Sequence, residues 1–366
     1  MKLLYITNGI NGPGGLERVL SIKASQLAEL YDYEVSILVL NNAHLNPFYS
    51  FSPKIRFYSV VMSGNFISSF LNYRKGTQKI VNQIQPDLIS VCDDGLKGFY
   101  VPSFLKTKAK IIYERHASVN LNAGSGIKGN LIRILMHRQI SKFDRFVVLT
   151  KGNLKEWNQP NVTVIPNPIG FQSEQSAELE NKKIIAVGSH SYNKGYDLLI
   201  RVWKIIQNQK PDWELNIYGK IDPDRTFVKI AEKEGLKNIF FKPPIKNIRS
   251  AYLDASILVM SSRSEGFGMV LTEAMECGLP CVAFDCPSGP ADIISEGEDG
   301  FLIEPENTNQ MVDRLLQLIE DQKLRKQMGK TAKQNVKRFS ADQILKRWDE
   351  LFKELRKKGQ STEKIK

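Results

Sequence analysis

The stretch at residues 264–280, SEGFGMVLTEAMECGLP, places Glu265 between a serine and a glycine and then sets Glu273 and Glu276 inside an apolar run of helix length. At about 100° per residue, Thr272, Glu273 and Glu276 share one stripe of such a helix, while Met269, Val270, Leu271, Ala274, Met275 and Cys277 cover most of the rest. A polar stripe there either faces water or holds a ligand. The residues just before it favour a ligand. SSRSEGFG follows the strand-like run SILVM, so Glu265 lies on a strand-to-helix loop. The amides of Phe267, Gly268, Met269 and Val270 are then unpaired donors at the positive end of a helix dipole, a setting suited to phosphate. A carboxylate one turn into that helix can accept hydrogen bonds from the ribose of the same nucleotide, and Glu265 can do so from sugar hydroxyls.

The elements that must hold these groups alternate strand-like and helix-length segments. KLLYI, a helix over 16–30, EVSILVL, a helix near 66–82, DLISV, KIIYE, a helix near 127–141, RFVVL and VTVI make a first series. That rhythm predicts a doubly wound parallel α/β sheet. IPNPI at 165–169 breaks it, and after the polar stretch FQSEQSAELENKK a second series runs through KIIAV, WELNIYG, NIFF, SILVM, CVAFD and GFLIE, with helices between. The boundary is predicted at 167–181. SADQ at 340–343 resembles a capping box opening a last helix to about residue 357, before the frayed tail GQSTEKIK. Such sheets bind ligands beyond the carboxyl ends of their strands, so two of them facing one another predict an interdomain cleft as the site.

Composition narrows the class. A chain of 366 residues exceeds the usual size of one core. No segment approaches the roughly 20 apolar residues of a membrane span. MKLLYITNG is too short an apolar run for a signal peptide, which predicts cytoplasmic residence. Cys277, Cys281 and Cys286 cluster without zinc spacing and Cys92 is distant, so reduced structural thiols and no metal site are expected. Residues 1–170 hold 20 Lys and Arg against 10 Asp and Glu, whereas residues 171–366 hold 31 against 29. The first half therefore meets something anionic or carries an idle basic surface.

Several motifs together resemble the retaining glycosyltransferases of family four. These are Glu265 and Glu273 as E-x7-E, then GLPCVAFDCPSGPADII and DGFLIEP, with GPGGLERV near the start and VGSHSYNKGYDLLI in the middle. The resemblance covers nearly the whole chain and implies the GT-B architecture of two Rossmann-like domains facing a cleft. Residues 1–168 would bind acceptor, 169–339 would bind nucleotide-sugar, and a helix over 340–358 would pack back on the first domain. It further implies that Glu265 contacts the transferred sugar, Glu273 the ribose, and residues 267–270 sugar and phosphate through their amides. Lys194 would neutralise the diphosphate, His116 in YERHAS would lie beside the donor sugar, and Gly14 and Gly15 would let the backbone approach the phosphates.

One departure is Ser189, which stands where the family usually has arginine; His190 is one residue late and pH-dependent, an uncertain substitute. FDCPSGP resembles members using UDP-sugars, and Ile245 would border the base. The expected partners are a nucleotide-sugar donor as co-substrate, with no further cofactor, and a glycan or lipid-linked acceptor read by loops at 41–50 and 121–129. The basic segment 127–142 could rest on anionic lipid at the inner face of the membrane or be an ordinary docking helix. Asp222 and Asp224 spell DxD without the fold in which that motif holds a metal, and the second strand lacks the acidic residue that reads an NAD ribose. No nucleic-acid motif is present. The implied reaction is transfer with retention, its barrier lowered by stabilising charge on the departing diphosphate. The alternatives are a sugar-nucleotide epimerase of the same fold and a non-catalytic binder.

Overall fold

The computed structural model describes residues 1–119, 122–124 and 126–363, the side chains of 359–363 excepted. The chain divides into two compact units: Met1–Pro168 with the segment from Ala341 onward, and Ile169–Ser340.

Unit 1 contains strands β1 (Lys2–Thr7), β2 (Glu34–Leu40), β3 (Arg56–Val60), β4 (Leu88–Cys92), β5 (Lys110–Glu114), β6 (Arg145–Val148) and β7 (Val162–Val164). Its helices are α1 (Gly15–Leu30), α2 (Phe66–Ile84), α3 (Val101–Phe104), α4 (Gly126–Ile140) and α5 (Lys151–Glu156). The strands form one parallel sheet in the order β3-β2-β1-β4-β5-β6-β7. The central strands read as unbroken apolar runs because helices cover both of their faces; residues 3–6 are fully buried. On one face Phe99, Tyr113, Phe146 and Trp157 stack within 4.5 to 6.1 Å of one another.

Unit 2 contains β8 (Lys183–Val187), β9 (Glu214–Tyr218), β10 (Ile239–Lys242), β11 (Ile257–Met260), β12 (Cys281–Phe284) and β13 (Gly300–Ile303). Its helices are α6 (Tyr196–Gln209), α7 (Thr226–Lys233), α8 (Ile248–Leu253), α9 (Met269–Glu276), α10 (Pro290–Ile293), α11 (Thr308–Glu320) and α12 (Gln322–Asn335). The sheet order is β10-β9-β8-β11-β12-β13, again all parallel.

The last helix, α13 (Ala341–Glu363), belongs to unit 1, where Tyr33 Oη donates to Asp349 Oδ1 at 2.6 Å and Arg347 donates to the Val164 carbonyl at 2.5 Å. It is longer than the sequence predicts: residues 359–363, expected to fray, are helical, and 364–366 lie outside the described residues.

Candidate active site

In unit 2 the strand order reverses between β8 and β11, and the loops leaving these two strands carry Ser189, Lys194, Glu265, Phe267 and Gly268 of the predicted donor residues. The first turns through a short 3-10 helix at Tyr192–Lys194 into Gly195, which opens α6. Gly195 has φ of 64°, and a Cβ there would strike the Ser261 carbonyl, so only glycine lets the two loops come this close. Lys194 Nζ reaches Glu265 Oε1 at 2.6 Å, with 21% and 11% of the two side chains exposed. Two residues 71 positions apart, one expected to neutralise phosphate and one to hold a sugar, thus meet as an ion pair at the switch point of the sheet.

Arg263 fixes that meeting. Its guanidinium takes Asp197 in a bidentate grip at 2.9 and 2.7 Å, donates to Glu306 at 2.8 Å and to the Tyr192 carbonyl at 2.7 Å, and lies 4.0 Å over the Tyr192 ring. The Arg263 hydrogen bond holds Asp197 below the usual carboxylate range. Asn193 Nδ2 donates to the Ser264 carbonyl at 2.7 Å, and Arg263 N donates to the Asn193 carbonyl at 2.8 Å. Residues 192–194 and 263–265 are therefore laced together.

Gly268, with φ of 96°, caps α9, and Phe267 is buried edge-on against Phe339 with ring centroids 5.4 Å apart. The acidic stripe does not face solvent. Thr272 and Glu273 are buried, Tyr252 Oη donates to Glu273 Oε2 at 3.2 Å, and Ser173 N donates to Glu276 Oε1 at 2.9 Å. Ser189 is exposed at the end of β8, and Ile245 is half-buried after β10. His190 does not stand in for the missing arginine. Its ring is buried edge-on among Tyr196, Phe227 and Phe241 at 5.3 to 6.0 Å, and that burial lowers its pKa, favouring the neutral form. Asp222 accepts from Thr226 N and Oγ1 at 2.9 and 2.7 Å, fastening the start of α7.

In unit 1 the reversal falls between β1 and β4. A cavity of about 560 Å³ opens there, lined by Asn8, Asn11, Glu17, Asn41, Asp94 and Lys97 among others. Asn41 and Ala43 place part of the predicted acceptor loop in it; of the second loop, residues 121 and 125 lie outside the described residues. Gly14 caps α1 and Gly15 begins it, but the Glu17 carboxylate folds over the loop so closely that a Cβ on Gly12 or Gly14 would collide with it. Burial, then the charge of Asp94, raises the Glu17 pKa against its own backbone hydrogen bond.

His116 follows β5, its N–H donating to Asp94 Oδ1 at 2.9 Å and its Nε2 lying 3.4 Å from Glu114 Oε2. Glu114 is buried against Lys23, and Ser90 Oγ donates to its other oxygen at 2.5 Å. Burial pushes the Glu114 carboxyl up, but the Lys23 ammonium and then His116 outweigh it and hold the pKa at about 2. Lys23 in turn rests 4.0 Å from the Trp348 ring of α13 and 5.2 Å from Tyr5. Cys92, Glu114 and His116 bring three ligand-type atoms within 4.8 Å. Lys23 already supplies the positive charge there, and burial followed by the Glu114 charge pushes the Cys92 thiol well up, so this trio does not suit a cation. All four cysteines are free and buried. Lys23, Glu114, Glu17, Tyr252 and Arg263 were not among the predicted site residues.

Residues 170–335, nearly all of unit 2, match the family described as Glycosyl transferases group 1. This segment carries the domain of that family. The glycosyltransferase is 28% identical over 355 residues to an uncharacterised glycosyltransferase of Haemophilus influenzae, covering 95% of this chain and 98% of the relative. It is 27% identical over 368 residues to the amylovoran biosynthesis glycosyltransferase AmsD of Erwinia amylovora, covering 96% and 99%. Its fold is of the GT-B type, similar to S. aureus TarM in complex with fondaparinux, α-GlcNAc-glycerol and UDP; the TM-score is 0.78 at 17% identity, over 96% of this chain and 100% of that one. Among the described residues no helix is long and apolar enough to cross a membrane.

Proposed function

We propose that this group 1 glycosyltransferase moves a sugar from a UDP-sugar to a hydroxyl of a lipid-linked glycan, with retention, in the assembly of a cell-surface polysaccharide. The observation that carries the reading is the Lys194–Glu265 pair at the sheet reversal, beside the amide end of α9. In this pair each charge satisfies the other. A diphosphate gives Lys194 a better partner and frees Glu265 to accept from sugar hydroxyls, so one rearrangement prepares both roles. Lys194 and the amides of residues 267–270 stabilise the charge that grows on the departing diphosphate, the step at which such groups lower a barrier most. Glu273, held by Tyr252, presents its carboxylate to the ribose. In a retaining reaction the acceptor attacks from the face of the leaving group, and a phosphate oxygen can take its proton, so no separate base is assigned. His116 is oriented within unit 1 by Asp94 and Glu114. Neither metal nor other cofactor has a role in this scheme.

Support for UDP comes from the TarM complex, and support for polysaccharide assembly from the amylovoran enzyme. A thermal-shift screen of UDP-, GDP- and ADP-sugars tests the donor, because only a ligand that favours the folded state raises the midpoint. A midpoint raised by GDP- or ADP-sugars and not by UDP-sugars would overturn the UDP assignment. Incubation with donor alone separates transfer from epimerisation, since an epimerase converts the sugar without an acceptor. Turnover that survives a chelator is expected.

A further inference from the structure

Of the large apolar side chains among the described residues, Ile127 at 91% and Phe66 at 88% are the most exposed. Each has exposed neighbours on its own helix: Ile67 and Leu71 on α2, and Leu131, Ile134 and Leu135 on α4. Positions 127, 131, 134 and 135 follow the spacing of one helix face. Met136 and Ile140 of α4 are buried inward, so this helix is apolar on two sides and only one of them is used by the fold.

The two helices share an orientation. Tyr73 and Ile80 of α2, Val101 of α3, and Met136 and Ile140 of α4 enter one core against the same sheet face. Phe104 of α3 meets Phe70 and Tyr73 of α2 at 6.1 and 5.7 Å. Ser103 Oγ donates to Gln139 of α4 at 3.1 Å and accepts from Lys142 at 3.0 Å. The outer sides of α2 and α4 therefore belong to one continuous layer.

The charge of that layer has a single sign. Neither α2 nor α4 contains an aspartate or glutamate, while together they carry Arg74, Lys75, Lys79, Lys128, Arg133 and Arg138. Over residues 35–143 there are fourteen Lys and Arg against four Asp and Glu, and of those four Asp93 and Glu114 are buried. Solvation alone does not require this bias: α13, in the same unit, mixes Asp342, Asp349, Glu350 and Glu354 with its lysines and arginines.

We propose that the outer face of α2 and α4 docks on an anionic lipid surface, its aliphatic side chains entering the interfacial region while its basic side chains pair with headgroups. A second copy of the chain would set two positive faces together, and a nucleic acid would leave the exposed aliphatic residues without a partner. Such docking would bring unit 1 to the layer in which a lipid-linked acceptor resides, and so it deepens the acceptor reading. Vesicle binding is read without turnover, so either idea can fail alone.

The test is co-sedimentation of the full chain with vesicles of equimolar phosphatidylglycerol and phosphatidylcholine, compared with phosphatidylcholine alone. Binding to the anionic vesicles is expected, weakening as salt is raised. The triple variant Ile127→Ser, Leu131→Ser, Ile134→Ser should lose about tenfold or more in partition, and Lys128→Gln with Arg138→Gln about fivefold per charge. Because these side chains are exposed, thermal midpoints should stay at the wild-type value. Equal binding to both vesicle types, no binding to either, or a triple variant that partitions like wild type overturns the proposal. So does a vesicle-free dimer that the triple variant disperses, which would assign the face to a second copy.

Discussion

Replacing Lys23 with methionine keeps most of the side-chain volume and removes the ammonium from a pair in which each partner is 1% exposed. Glu114 is left with Ser90 and His116 as the neighbours named at its carboxylate. Breaking a buried pair on one side costs about 3–5 kcal/mol. Glu114 points the same way: against the effect of burial, the Lys23 ammonium holds its carboxyl below the usual range and so favours the charged form. In the wild type this depressed carboxyl stabilises the fold fully above pH 4.5, and the contribution is lost as the pH falls towards 2. In Lys23→Met the sign reverses. A buried carboxylate without its cation has a raised pKa, so its penalty is full at neutral pH and is relieved on acidification. Calorimetry should show the thermal midpoint of unit 1 lowered by about 10 °C at neutral pH, with a smaller deficit near pH 5. The double variant Lys23→Met, Glu114→Gln should recover much of the loss. A deficit unchanged between the two pH values, together with a double variant no better than the single one, would refute the reasoning.

Three further outcomes are expected. Glu265→Ala should lower kcat by about a hundredfold with a modest change in donor affinity, whereas Glu273→Ala should weaken donor binding by about tenfold or more; equal and negligible effects in steady-state kinetics would remove both assignments. Arg263→Met frees residues 192–194 from 263–265 and should reduce kcat by more than tenfold through misplaced Lys194 and Glu265, while Arg263→Lys, unable to grip Asp197 with two nitrogens, restores little; full activity in either variant contradicts the positioning role. Gly195→Ala forces a Cβ into a left-handed conformation and against the Ser261 carbonyl, so a loss of about 2 kcal/mol or more in unit 2 is expected by denaturant titration, and an unchanged midpoint would count against this account of the loop junction.

The parallel sheets were legible because buried central strands announce themselves: EVSILVL and KIIYE coincide with β2 and β5. β3 was not read. RFYSV sits at the sheet edge, half-exposed and opened by an arginine, so it lacks the apolar run of an inner strand. The loop-to-helix junction at α9 could be read from Glu265 and the glycines, because it is local. Lys23, Glu114 and Arg263 could not, since their partners lie 91 and 66 positions away and a lysine in an amphipathic helix gives no sign of burial until the fold supplies a carboxylate. The acidic stripe of α9 was ambiguous for the same reason: Tyr252, 21 positions upstream, satisfies Glu273.

The return of α13 has a consequence for synthesis. Lys23 emerges early from the ribosome, yet the Trp348 ring that covers it is made more than three hundred residues later, after every strand of the second sheet. The nascent first sheet therefore waits, with an unshielded ammonium–carboxylate pair and the α1 surface open to water, while the later-made domain closes on its own. Premature termination before residue 341 should cripple the beginning of the protein rather than the part nearest the missing segment.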